Sequence, residues 1–402
     1  MDHDIRRQRG EGSMETVAED ILVKQWSERG ADLFARGEYE KASEAFEESI
    51  RVAAGVFEDQ DPRLALLRCG LGHARHALQD FAGAALLFDE ALELMEMTCG
   101  PTHENTIACL VSLFRSLERV SAGARPDRIL ERLVAMLHRP EASASPALIQ
   151  MMGQLAAVCH VGGRLDEARK LLELQIRALE MLDQATVAAD LVLALNQLGC
   201  LHLDDARPQE AVVPLRRAQE LCEKAFGAYS PLIVDILTNL AAASDARGNP
   251  GEAQDLYWHA LSLRKILSGP RHPGVAAILN NLGELTARVG PAEESEWFFQ
   301  EALGILESGW TGHEATRAAI LCNLGRLRLS QGRHREAISD LDAAVAYAEL
   351  GFGPLHPDLA AYLQELAAAE FASGEPKRAE GHLWRAYEIL EQLSSQAASK
   401  DE

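Results

Sequence analysis

Apolar residues recur at spacings of three and four, with Ala and Leu dominant, from about residue 18 to residue 394 of the 402-residue chain. That period predicts amphipathic helices throughout. Alternating runs rich in β-branched residues are absent, as are Asn-Gly hairpin turns, so no strands are expected. Short breakers separate the helical stretches: "ARGEY" (Ala35–Tyr39), "VGGRL" (Val161–Leu165), "ARGNP" (Ala246–Pro250) and "SQGRH" (Ser330–His334). A glycine in each can take the left-handed conformation that ends a helix.

The pattern repeats. Leu282-Gly283 is followed by Ser295, Phe299 and Ala302: a small residue, another twelve later, a bulky one four on and a small one three on. The same frame fits Leu71-Gly72 with Ala84, Phe88 and Ala91, and Leu198-Gly199 with Ala211, Leu215 and Ala218. Its first small position falls at Gly30, Gly72, Phe114, Ala156, Gly199, Ala241, Gly283, Gly325 and Ala367, so seven of the eight steps are 42 residues and one is 43. Two small residues on successive helices let an antiparallel pair approach closely. The bulky position (Phe46, Phe88, Tyr257, Phe299) is then expected to fill the gap to the next unit. Eleven residues before the small position stand Asp61-Pro62, Ser145-Pro146, Ser230-Pro231, His272-Pro273 and His356-Pro357. A polar residue followed by proline reads as an N-cap and a first-turn residue whose missing N–H costs nothing.

This frame resembles the tetratricopeptide repeat. The 42-residue period, "LTNLA" (Leu237–Ala241), "LNNLG" (Leu279–Gly283), "LCNLG" (Leu321–Gly325) and junctions such as "CGPTH" (Cys99–His103), "SGPRHP" (Ser268–Pro273) and "GFGPLHP" (Gly351–Pro357) are similar to the kinesin-light-chain subtype. The resemblance implies an all-α, right-handed superhelical solenoid of about nine helix hairpins. It also implies a concave surface that holds extended peptides. The expected organisation is a flexible leader (1–17), one solenoid domain (18–394) and a flexible tail (395–402). Met14 is an alternative start, with residues 1–13 then a leader or an added remnant. The unit around 103–140 is degenerate, with Phe114 at the small position and Pro126 where Ala is expected, and the unit around Ala156 lacks the Asn. The last unit ends on Leu383, Trp384 and Leu390 without a further capping helix, an end expected to be exposed, frayed or covered by a partner.

Charge narrows the partners. A formal net charge of −22 argues against nucleic acid, whose phosphates need a basic surface, and is compatible with a basic or extended protein segment. No apolar run of membrane-spanning length is visible, so no membrane insertion is expected. The seven scattered cysteines, with no CxxC, fit a reducing cytoplasm. The sequence holds no phosphate-binding GxxxxGK[ST] and no GxSxG; His313-Glu314 begins an HExxH-like string in which Arg stands at position 317. No catalytic residue and no cofactor is predicted. His103, His272 and His356 share one junction position and read as structural punctuation.

Two sets of polar residues remain. Cys69, His73 and His76 lie at i, i+4 and i+7 on one helix face; they are a weak metal candidate without an evident fourth ligand, or simply a polar groove lining. His73 and His76, with Arg115, Arg119 and His160, make a secondary groove patch. The main candidate strip borders the buried stripe. Asn239, Asn281 and Asn323 recur at 42-residue intervals, Gln197 precedes them and Glu365 follows, and Asn196 and Asn280 share a neighbouring register. Glu284, Arg288 and Arg326 lie beside them. An amide offers donor and acceptor to any peptide backbone, and arginine selects carboxylates. The ladder therefore either holds an extended peptide or bonds neighbouring units and fixes the stacking. Two functions follow as expectations. One is a non-enzymatic adaptor binding a protein segment in a groove. The other is a regulatory sensor subunit that responds to a small ligand or metal and controls a partner enzyme.

Overall fold

The computed structural model describes residues 2–120, 124–137, 145–307, 310 and 312–398. Among them stand eighteen α-helices and no strand. They fall into two compact units that part after Ala178.

Unit 1 holds α1 (Asp2–Ala35), α2 (Tyr39–Ala53), α3 (Pro62–Ala77), α4 (Phe81–Thr98), α5 (Glu104–Val120), α6 (Ala124–Leu137), α7 (Pro146–Val161) and α8 (Leu165–Glu180). Unit 2 holds α9 (Gln184–Asp204), α10 (Pro208–Phe226), α11 (Pro231–Ala246), α12 (Pro250–Ser268), α13 (Pro273–Val289), α14 (Ala292–Glu307), α15 (Glu314–Ser330), α16 (His334–Phe352), α17 (Pro357–Ser373) and α18 (Pro376–Ala398). Odd-numbered helices are the first (A) helices of hairpins and even-numbered ones the second (B). A helices also touch the next A helix: α1–α3, α3–α5 and α5–α7 in unit 1, and α9–α11, α13–α15 and α15–α17 in unit 2. Each unit is thus a two-layered stack of hairpins, the solenoid arrangement that the repeat predicts.

The small positions are small for a steric reason. A methyl group added at Gly283 would lie 2.6 Å from Phe299, at Gly72 2.8 Å from Phe88, and at Gly199 2.4 Å from Leu215. The bulky residue therefore covers the small residue of its own hairpin, rather than only filling the gap to the next unit as expected. Phe46 does both, since it also lies 2.6 Å from where a methyl on Gly70 would sit. In the degenerate unit Phe114 is itself fully buried, as are Leu133 and Leu137 of its second helix. α6 is the shortest helix described, yet the unit keeps its hairpin.

The caps follow the junction motif. Asp61 accepts the Arg63 amide at 2.8 Å, and the Nδ1 atoms of His272 and His356 accept the amides of Gly274 and Asp358 at 3.0 and 3.2 Å. His103 does the same for Asn105. Ser230 is the exception: its hydroxyl meets the Cys222 thiol instead. Gly37, Gly163, Gly248 and Gly332 end A helices at φ between 75° and 80°. Gln79 and Ala206 occupy the same turn position at φ 65° and 55°, where a side chain is strained.

Residues 2–17 lie within α1, and the residues of 395–402 up to Ala398 lie within α18. One stretch, Thr186–Asp204, averages apolar enough to cross a membrane. It forms most of α9, whose Leu191, Val192, Leu195 and Leu198 are buried in the stack and which packs on α10 and α11.

Candidate functional site

The A-helix layer of unit 2 carries the asparagine strip, and the strip is bonded within itself. Asn239 donates from Nδ2 to Asn196 Oδ1 at 3.0 Å and also lies 3.0 Å from Cys200 Sγ. Asn323 donates to Asn280 Oδ1 at 3.2 Å. Both pairs join consecutive or next A helices at a separation of 43 residues, one repeat plus one. The step between them is different. Thr238 holds the register of Asn196 and Asn280, but its hydroxyl donates back to the Val234 carbonyl at 2.8 Å. Asn281, the residue that would have bonded it, is half-buried and makes no side-chain hydrogen bond among the described residues. Gln197 is exposed. The sequence placed the amides on one strip, but it missed that they meet across the registers in pairs.

The cations of this strip are neutralised by acids one repeat away. Arg288 pairs with Asp245, and Arg326 Nε lies 3.4 Å from Glu365. Glu284 stays exposed between them.

Unit 1 presents different chemistry. α1, α3, α4 and α5 enclose a cavity of about 420 Å³ walled by Phe34 and Phe88 and edged by His73, His76, Ser112 and Arg115. The His73 ring stands edge-on to Phe88 at 5.0 Å, and His76 edge-on to Phe81 at 5.0 Å. His76 Nδ1 shares a hydrogen bond of 2.9 Å with the Ser116 hydroxyl. Desolvation of the rings, followed by the charge of Arg115, holds both imidazoles below their usual pKa. They are neutral at pH 7 and able to donate or accept. Among the described residues no carboxylate pairs with Arg115 or Arg119; Arg119 lies over the Phe81 ring at 5.1 Å. The nearby Glu118 is already bound to Arg164 at 2.8 Å. His160, on α7, has its own contacts and does not line this cavity.

The residues of the metal candidate are engaged with other groups. Cys69 turns to Cys109, with the two sulfurs 3.6 Å apart, His73 packs on Phe88, and His76 is engaged with Ser116. Among the described residues no three His, Cys, Asp or Glu side chains converge as ligands.

Comparisons with known proteins agree with this architecture. Family models described as tetratricopeptide repeat match residues 23–97, 232–308 and 316–392, and another of the same description matches 191–231, together more than half of the chain. The protein KINESIN LIGHT CHAIN-RELATED 2 of Arabidopsis thaliana is 23% identical over 285 residues, which is 60% of this chain and 42% of that protein. KINESIN LIGHT CHAIN-RELATED 3 of the same plant is 35% identical over 83 residues, 20% of this chain and 12% of its own length. The chain thus spans less than half of either relative. The crystal structure of aspartyl phosphate phosphatase F from Bacillus subtilis superposes with a TM-score of 0.54 at 11% identity, covering 92% of this chain and 93% of that one, a likeness of fold alone. Period, junction caps, small–bulky packing and family match lead to one assignment: the chain belongs to the tetratricopeptide-repeat family.

Proposed function

We propose that this chain is a non-enzymatic protein–protein interaction scaffold, and that the A-helix face of unit 2 holds an extended segment of a partner protein. The amide pairs carry the reading. After bonding each other, Asn239 and Asn323 keep Oδ1 free as an acceptor, while Asn196 and Asn280 keep their Nδ2 donors. Asn281 keeps its whole amide. A peptide backbone supplies one donor and one acceptor per residue, so fixed, half-buried amides suit it without demanding a sequence. With Arg288 and Arg326 neutralised, selection in unit 2 falls to amides rather than to charge. The cavity of unit 1 is a separate site whose unpaired guanidinium and neutral imidazoles suit a carboxylate. That cavity also supports the small-ligand form of the sensor reading. Seven free cysteines support a cytoplasmic location.

The test is selection of peptides from a displayed library against the whole chain, followed by calorimetry of the best binder. Asn281→Ala removes an amide that no neighbour uses, so it should weaken binding about five- to tenfold while melting stays unchanged. Failure to enrich any peptide, or full affinity in Asn281→Ala, would overturn the assignment.

A further inference from the structure

Two thiols face each other across consecutive repeats of unit 1. Cys69 on α3 and Cys109 on α5 place their sulfurs 3.6 Å apart. They are unequal. Cys109 is buried, 3% exposed, and its S–H points at the Phe88 carbonyl 3.2 Å away. Cys69 is only partly buried, so an oxidant from solvent reaches it first. A hydrogen bond with the Cys109 thiol holds Cys69 below the usual thiol pKa against the opposing effect of burial, while the same bond and burial push Cys109 up. The less buried Cys69 is placed to meet a peroxide first and the buried Cys109 beside it to resolve the product, the division of labour between an attacking and a resolving cysteine. Among the described residues no other two thiols meet, and Cys99 is exposed beside the Thr98 hydroxyl.

We propose that Cys69 and Cys109 form an oxidation site that closes to a disulfide in the presence of a peroxide. The Cys69 thiolate attacks one oxygen of hydrogen peroxide. A sulfur–oxygen bond forms, the oxygen–oxygen bond breaks, and the departing hydroxide takes up the proton that Cys69 released, giving water and a sulfenic acid. The Cys109 sulfur then attacks the Cys69 sulfur; the sulfur–sulfur bond forms, the sulfur–oxygen bond breaks, and hydroxide leaves with the Cys109 proton as a second water. The two thiols together lose two electrons and the peroxide gains them. A disulfide of about 2.05 Å requires the sulfurs to close by roughly 1.5 Å, a movement within the reach of side-chain rotation on two adjacent helices. Cys69 lies one turn before His73, and Cys109 one turn before Ser112. The bond therefore staples the helices that carry two edges of the cavity, and it fixes their spacing until a thiol reductant reopens it.

The experiment uses the full chain carrying Cys99→Ser, treated with hydrogen peroxide, blocked by alkylation and digested without reduction. The expected result is a cross-linked Cys69–Cys109 peptide, an intact mass lower by two hydrogen atoms, reversal by dithiothreitol and a higher melting temperature of the oxidised form. In the Cys109→Ser variant the cross-link disappears and dimedone captures Cys69 as a sulfenic acid; Cys69→Ser, which changes the less buried partner, leaves Cys109 unlabelled. Far-ultraviolet circular dichroism identifies any variant that fails to fold. Peroxide that leaves Cys69 unreacted, carries it to sulfinic acid without a link, or links it elsewhere overturns the proposal.

Discussion

The A-helix faces of the two units are built on one frame and end with opposite electrostatics. In unit 2 Arg288 meets Asp245 and Arg326 meets Glu365, each an acid one repeat away, and four of the amides join in two pairs by one hydrogen bond each. In unit 1 Arg115 and Arg119 lack such acids among the described residues, and two imidazoles beside them are kept neutral. The same register thus serves cohesion in one unit and leaves unspent charge in the other. What decides is the residue one repeat away, because the side chains of this strip reach the A helix of the neighbouring hairpin.

The largest expected effect separates the two units by their packing. Phe114 fills the position that Gly283 leaves empty for Phe299. Phe114→Ala should cost about 3–5 kcal/mol through the cavity left behind. Gly283→Leu should cost about 1–3 kcal/mol or more through the clash. Denaturant unfolding monitored by circular dichroism measures both, and an unchanged midpoint in either would break the account of the frame. Next in size is the amide pairing. A double-mutant cycle of Asn280→Ala and Asn323→Ala should return a coupling of about 0.5–1.5 kcal/mol. The same cycle on Thr238→Ala and Asn281→Ala should return none.

Acid should weaken unit 1 in a way that depends on its histidines. Because the folded state holds His73 and His76 below their ordinary pKa, the unfolded chain takes up protons first as pH falls past about 6.5. Their neutral forms favour the fold above that pH, and the advantage is lost progressively below it. His73→Gln with His76→Gln should therefore flatten the difference in stability between pH 7 and pH 5; an unaltered slope would show that the rings titrate normally. The smallest effect concerns the strained turn: Ala206→Gly should stabilise by about 0.5–1 kcal/mol, since glycine accepts the left-handed conformation without penalty. A lower melting temperature in that variant would refute it.

The repeat frame was legible in the sequence because steric requirements recur with the period: Gly72, Gly199 and Gly283 must be small wherever a bulky residue lies over them. The junction histidines were legible as caps for the same reason. The site was less so. Asn239 and Asn281 look equivalent in the sequence, yet only one is paired, because the partner register holds Asn196 in one case and Thr238 in the other. Cys69 and His76 pointed to each other on one helix, whereas their partners, Cys109 and Ser116, both lie 40 residues on. A signal existed: contacts between consecutive A helices fall at separations of 39 to 43 residues, so residues near one period apart are the pairs to examine. Residues 2–17, at the start of α1, hold too few apolar positions to show a period.

The alternation of bonded and unbonded amides has a consequence for how such an array can change length. Asn196 with Asn239, and Asn280 with Asn323, are joined, while the step between them is not, so the ladder repeats every second hairpin although the sequence repeats every one. Loss of a single internal hairpin, residues 242–283, would bring Asn323 opposite Thr238 and break a rung while keeping the backbone frame. Gain or loss of hairpins in twos preserves the rungs. The array therefore carries a parity, and inheritance by duplication is free of cost in this layer only in even steps.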